Sequence, residues 1–301
     1  MIIAVSGSTG LVGSALCARL RASGHTVLPI VRRTDVPEPS LLWQPESGVV
    51  TLRGSQPPEA VVHLAGESVA SGRWTAARKQ RIRDSRVRGT QVLVEGLRRI
   101  GLPRVFVTAS AIGLYGSRGE EVLTEASSPG EGFLAEVATD WEGASASLES
   151  DGVRRVVVRI GLVLSPDGGL LPRVALPIRW FVGGRLAHGN QWMSWIALGD
   201  LCAILERAAT EPTMRGTYNA TSPSPIRNRD FVATLARVLH RPALFPVPTF
   251  ALRLALGEMA TEVLSSTRVQ PARLLAEGFS FESPDLEPCL RELLGRSGGE
   301  S

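Results

Sequence analysis

Gly7-Ser8-Thr9-Gly10-Leu11-Val12-Gly13 follows directly on the run Ile2–Ser6 and leads into a stretch with helical spacing, Val12–Ser23. A strand, three glycines at intervals of three and a helix start make one physical argument. The first glycine permits a tight turn, the second lets the backbone approach a pyrophosphate, and the third lets helix and strand pack closely, with phosphates at the positive helix end. The spacing predicts a dinucleotide-binding turn built by all seven residues; an unliganded glycine-rich turn is the plainer alternative.

Outward from this turn, Thr26–Val31, Ala60–Leu64, Val105–Ala109, Val156–Ile160 and, more weakly, Val49–Leu52 read as strands, with Thr75–Ile100 as a second helix. These strands are continuous apolar runs. Alternation would mark a sheet with one wet face, so both faces are expected to be covered by helices, the pattern of a doubly wound parallel α/β sheet. The second strand ends in Val31-Arg32-Arg33, where binders of NAD carry an Asp or Glu for the ribose hydroxyls. Arg32 cannot accept those bonds, whereas its guanidinium matches a 2′-phosphate, so NADP is expected over NAD. A surface arginine pair near Asp35 is the alternative. In the long helix, Ile82, Arg86, Gly89, Leu93, Leu97 and Ile100 share one face. A charge on that face needs a partner, either an acidic side chain or a cofactor's phosphate or ribose.

Composition narrows the chemistry. The 301 residues are 44% hydrophobic and 21% charged, ordinary for a globular chain long enough to bury a core. Lys79 is the only lysine among 33 Lys+Arg, and the 2 tyrosines are Tyr115 and Tyr218. A phosphate-loop lysine is excluded, and so is a Tyr-x-x-x-Lys dyad, because residues 119 and 222 are Gly119 and Ser222. The net charge of +4 is modest, and the arginines between Arg73 and Arg104 have few aromatics among them, which reads as a solvated helix face with no nucleic-acid partner. Cys17, Cys202 and Cys289 lie far apart without a C-x-x-C, and His25, His63, His188 and His240 are scattered, so neither a metal site nor a disulfide framework is expected and a reducing cytoplasm is. Leu170–Ala187 is apolar but broken by Arg173, Arg179 and Arg185, which excludes a span; no membrane partner is expected.

After Leu164 the character changes. Residues 1–165 read as the nucleotide-binding domain and 166–301 as a smaller substrate-side lobe, with about 191–222 returning to complete the sheet. Asp200 reads as the N-cap of a helix over Leu201–Ala209, and His63 as a packed strand residue.

Taken together, Gly7–Gly13, Val62-His63-Leu64-Ala65-Gly66-Glu67, Ser110–Gly116 and Ser194-Trp195-Ile196 with Asp200 resemble the extended short-chain dehydrogenase/reductases, the NAD(P)-dependent epimerase/dehydratases. Arg73-Trp74, Ser85-Arg86, Trp141-Glu142, Arg159-Ile160-Gly161, Gly189-x-Gln191 and Arg268-Val269-x-Pro271 look like one branch with its own C-terminal domain, some members of which are labelled cell-division inhibitors. The resemblance implies a Rossmann sheet with the cofactor along its carboxyl edge and substrate beneath the lobe. It implies cofactor contacts at Gly7 to Gly13, at Val31 and Arg32, at Leu64 and Ala65, from Arg86 and Arg81, and at Val163 near the nicotinamide.

The chain departs from that family where the chemistry lies. Ordinary members use Ser, Tyr and Lys; here the tyrosine position falls near Phe133, with Val137 four residues on, and the serine position at Ala111 or Ser110. Tyr115, Glu67 and Ser110 are the candidates for the missing proton carrier, with loop packing, cofactor-loop support and strand-end capping as their structural alternatives. Glu142 reads as a structural pair. Gln191, Trp192 and Trp195 are candidate pocket residues, with core packing the alternative. Two readings follow: an NADP-dependent oxidoreductase or epimerase-like enzyme acting on a small hydroxyl or carbonyl compound, and a non-catalytic dinucleotide-responsive regulator. The sequence names neither substrate nor oligomeric state.

Overall fold

Neighbouring residues of the N-terminal strands face two different cores. Ile3 and Val5, Ala60 and Val62, and Val105 and Val107 pack on one side of the sheet, while Ala4, Val61 and Phe106 pack on the other, all at most 1% exposed. That is why the runs are continuous rather than alternating.

The computed structural model describes residues 1–295. β1 (Ile2–Ser6) passes through the glycine turn into α1 (Leu11–Ala22), then β2 (Thr26–Val31), β3 (Ser40–Gln44), β4 (Val49–Arg53) and β5 (Ala60–His63). The long α2 (Ala76–Ile100) is capped by Thr75, whose side chain accepts the Arg78 N–H. β6 (Val105–Ala111), β7 (Val122–Leu123), α3 (Phe133–Gly143) and β8 (Arg154–Ile160) follow. Next come β9 (Leu162–Ser165), β10 (Gly168–Gly169), α4 (Leu171–Arg179), β11 (Trp192–Met193), β12 (Trp195–Ala197), α5 (Leu198–Thr210) and β13 (Gly216–Ala220). The chain ends with β14 (Ile226–Arg227), α6 (Asn228–Val238), α7 (Thr249–Leu256), α8 (Met259–Val263), β15 (Arg268–Val269), α9 (Ala272–Ala276) and α10 (Leu286–Gly295).

The main sheet has eight strands in the order β13-β8-β6-β5-β1-β2-β3-β4, parallel except for the β3–β4 edge pair. α1 and α5 cover one face, α2 and α3 the other. β3 is absent from the sequence reading, and β4, read only weakly, turns out to be antiparallel. Asp200 is corrected too: Ala197 caps α5, and Asp200 lies within its first turn, where its carboxylate accepts the N–H groups of Glu282 (2.8 Å) and Ser283 (3.1 Å). It fastens the C-terminal segment to the sheet domain. A separate core joins Leu171 and Ile178 of α4, Phe231 and Leu235 of α6 and Leu290 of α10 around Trp195.

Candidate functional site

The strand order reverses at β1. β2 lies on one side of it and β5 on the other, which opens the crevice where ligands bind in sheets of this kind. The glycine turn leaves β1 at that point, and Leu64 and Ala65 leave β5 opposite. Gly7 is at φ 66, and a Cβ there would stand 3.4 Å from the Ala65 nitrogen. A Cβ on Gly13 would fall 2.0 Å from the Gly7 carbonyl oxygen, so the turn closes only around hydrogen at that position. The Gly10 N–H donates to Gly7 O (2.9 Å), and no side chain caps α1. Its first-turn N–H groups are what a pyrophosphate needs. Ser8, Thr9, Leu11 and Val12 stand within this turn and helix start, and the β9–β10 hairpin that carries Val163 lies beside it: a Cβ on Gly168 would stand 3.4 Å from Leu11, and Val12 and Val163 pack on the same core.

One residue missed by sequence reasoning holds the crevice together. Ser6 Oγ accepts the N–H groups of Leu64 (2.9 Å) and Ala65 (3.0 Å), fixing the end of β5 against β1. A hydroxyl on the last residue of an apolar strand was the available signal.

At the outer end, Arg33 ties up Asp35 in a forked ion pair. Arg32, next to Val31, stacks its exposed guanidinium 5.1 Å over the ring of Trp43. Among the described residues no carboxylate pairs with Arg32.

The loop after β5 is held by arginines. Arg86 donates to Glu67 O (2.9 Å) and Ile82 O (3.2 Å), stacks 5.1 Å over Trp141, and lies against Gly66. Burial lowers its pKa to about 10, partly offset by Glu67, so it stays charged at neutral pH. Its partners here are backbone carbonyls and the Trp141 ring, with the charge of Glu67 nearby. The Glu67 carboxylate has Arg78 at 3.6 Å and Arg81 at 3.5 Å, and the Glu67 N–H donates to Ser85 Oγ.

Phe133 and Val137, at the positions the resemblance implies for tyrosine and lysine, lie in an apolar cluster. Val137 packs with Trp74, Ile82 and Met259, and Phe133 meets Trp74 edge-on. The polar groups lie deeper, as one chain. Ser110 Oγ donates to Glu142 Oε1 (2.6 Å), and Arg159 grips both Glu142 oxygens (2.8 and 2.9 Å). Arg159 also donates to the Tyr115 hydroxyl (2.9 Å), which donates to Asn219 Oδ1 (2.7 Å). Burial opposes the charge on Arg159, but the Glu142 carboxylate outweighs it and holds the guanidinium above its ordinary pKa. Burial raises the Tyr115 pKa, with Arg159 acting against that rise. Tyr115 reads from sequence either as reaching toward substrate or as packed in its loop; its ring is fully buried and its hydroxyl is engaged by Arg159 and Asn219. Arg159 and Asn219 were missed as site residues; an arginine directly after the apolar run Val156–Val158 was a signal of a buried polar partner, whereas Asn219 in Gly216-Thr217-Tyr218-Asn219-Ala220 gave none.

On the lobe side, Trp195 takes the core-packing alternative. It is fully buried in the lobe core, its indole N–H donating to Ser224 O (3.0 Å). Trp192 is half-buried between the guanidinium groups of Arg227 (4.7 Å) and Arg268 (4.4 Å), and Gln191 Nε2 donates to Leu186 O (3.3 Å). The structure does not bring these three to one open wall.

Comparison with known proteins agrees with this geometry. Residues 3–220 match the family described as NAD dependent epimerase/dehydratase, and residues 247–293 match a domain of unknown function, DUF1731. An epimerase family protein of Mycobacterium bovis is 40% identical over 298 residues, 99% of each chain. The crystal structure of human epimerase family protein SDR39U1 with NADPH superposes with a TM-score of 0.90 at 32% identity, covering 98% of this chain and 99% of that one. The Thermus thermophilus UDP-glucose 4-epimerase complex with NAD, 19% identical with a TM-score of 0.77 and matched over the whole of both chains, shares the fold.

Proposed function

The chain belongs to the NAD-dependent epimerase/dehydratase family, and from that premise we propose that it binds NADP and acts, without a Tyr-Lys dyad, as an oxidoreductase or epimerase-like protein on a small hydroxyl or carbonyl compound. The observation that carries the cofactor choice is at the end of β2. Asp35 is spent on Arg33, and Arg32 is left to receive a 2′-phosphate by charge-assisted hydrogen bonds. The NADPH bound by the human relative supports the same choice. The Gly7–Gly13 turn and the α1 N-terminus would hold the pyrophosphate, and Leu64 and Ala65 would flank the adenine ribose. The bound cofactor supplies hydride transfer.

With the Tyr115 hydroxyl engaged by both Arg159 and Asn219 and Glu67 held by arginines, the proton carrier we assign is Ser110, itself buried, whose hydroxyl rests on the Glu142 carboxylate at the carboxyl edge of the sheet. A second reading, a dinucleotide-responsive regulator, is favoured by the apolar cluster around Val137. The setting we propose is cytoplasmic: all three cysteines are buried and unpaired, and among the described residues no helix is long and apolar enough to cross a membrane.

Titration with both cofactors, followed by a screen of carbonyl and hydroxyl compounds at the nicotinamide absorbance, tests these readings. Tighter binding of NADH than NADPH overturns the cofactor choice. Turnover lost in Ser110→Ala with NADPH binding intact supports the enzyme. Tight NADPH binding with no turnover on any compound leaves the regulator.

A further inference from the structure

We propose that the outer face of the C-terminal lobe docks on an anionic lipid bilayer, peripherally and without spanning it. The face is assembled from two stretches distant in sequence. Val247 N donates to Arg185 O and Ala187 N to Val247 O, both at 2.9 Å, and a Cβ on Gly184 would fall 2.2 Å from Phe245 O. This seam brings the end of α4, with Trp180, Phe181 and Val182, beside Phe245. α7 begins two residues after Val247 and exposes Phe250 and Leu254 one turn apart, and Arg73 ties the α7 C-terminus down by donating to Leu254 O and Ala255 O. Trp180 is 72% exposed, Phe250 73% and Leu254 73%. Single exposed apolar side chains are ordinary on a soluble protein, but a neighbouring set of this size marks a contact surface. Phe181 is moreover held at φ 61, a conformation that costs a bulky residue backbone energy and keeps this ring at the surface.

Charge identifies the partner. The chain has 29 Asp+Glu, yet residues 168–199 and 231–257 contain none. They carry the exposed Arg173, Arg179, Arg185, Arg241 and Arg253. Next to the apolar residues is a cleft of about 510 Å³ lined by Arg179, Arg241 and Arg291 together with Val238, Leu239 and Leu294. Arg241 also stacks 5.3 Å over Phe181. Glu287 is already engaged by Arg237 and Arg291, and Glu258 by Lys79. Guanidinium groups beside protruding Trp, Phe and Leu match the boundary between phosphate headgroups and acyl chains. A second copy of the chain meeting this face through itself would set arginine against arginine, which argues against self-association. The sequence expectation of no membrane partner rested on the broken run Leu170–Ala187; the arginines that forbid a span are the ones a bilayer surface would attract.

Co-sedimentation of the full chain with vesicles tests the proposal. Binding is expected to phosphatidylcholine vesicles containing phosphatidylglycerol, to weaken with salt, and to be absent with phosphatidylcholine alone. Arg179→Gln and Arg241→Gln should each weaken it about fivefold, and the exposed-site double variant Trp180→Ser/Phe250→Ser by tenfold or more, on the order of a partly buried aromatic side chain each. NADPH affinity, unchanged in these variants, reports that they remain folded. Equal binding to neutral vesicles, or none to anionic ones, overturns the proposal. So does dimerisation that Trp180→Ser abolishes in a chain that ignores vesicles, which would assign the face to a second copy.

Discussion

Ser6 Oγ and His63 Nδ1 lie 2.8 Å apart, both wholly buried between β1 and β5. Because Ser6 Oγ already accepts two backbone N–H groups, its own proton goes to Nδ1, and His63 is the neutral ring protonated at Nε2. Burial, and then the nearby charge of Arg32, lower its pKa from 6.5 to about 3. Between those values the unfolded chain binds a proton that the folded chain refuses. Stability is therefore lost as the pH falls below 6.5, at about 1.4 kcal/mol per pH unit from this residue. Urea denaturation across this range should show the loss in the native chain, with a shallower slope in His63→Gln; parallel slopes would refute the assignment.

Gly13→Ala should remove dinucleotide binding and lower stability together. The added Cβ would stand 2.0 Å from Gly7 O and 2.9 Å from Ser8 Cα, both in the turn that faces the ligand, so relief requires the turn to open. A loss of about 1–3 kcal/mol is expected from the overpacking alone. Calorimetric titration with NADPH and a thermal melt measure the two effects. Retention of native affinity would mean that the turn does not bind the pyrophosphate.

Arg32→Ala should weaken NADPH by about tenfold to a hundredfold and leave NADH nearly unchanged, since a charge-assisted bond to a phosphate is worth about 1.5–3 kcal/mol. Removing Asp35 instead frees Arg33 from its fork and should not turn the preference toward NADH. Equal losses for the two cofactors on Arg32→Ala would place the guanidinium on the adenine or the shared phosphates.

The parts legible in the sequence are those encoded by neighbours. The glycine turn, the apolar strands and the capped α2 each depend on a few adjacent residues, and their ends fall within two residues of the structure's. β3 escaped because Ser40-Leu41-Leu42-Trp43-Gln44 belongs to an edge pair whose partner β4 is half exposed. The buried polar chain escaped for a different reason. Tyr115 and Asn219 are 104 residues apart, and only the parallel register of β8 with β13, which sets Arg159 beside Asn219, brings them together. Tyr115 reads as a hydroxyl aimed at substrate or as loop packing, and sequence alone does not tell a hydroxyl aimed at a ligand from one aimed at an arginine.

That polar chain makes an asymmetric prediction. Arg159 and Glu142 keep only 10% and 14% of their side-chain surface exposed, so removing one partner strands a buried charge. Glu142→Gln should cost about 3–5 kcal/mol, and Tyr115→Phe, which loses a hydroxyl from the far end of the chain, about 1 kcal/mol. The double variant Glu142→Leu/Arg159→Met removes both charges and should be less destabilised than Glu142→Gln, although it contains the larger chemical change. Chemical denaturation of the three variants ranks them. If the double variant is the least stable, the pair contributes attraction in excess of its desolvation cost, and the buried chain is a net source of stability. If it is at least as stable as the native chain, the fold keeps Glu142 and Arg159 at a cost, which is the expectation if Glu142 supports the proton on Ser110.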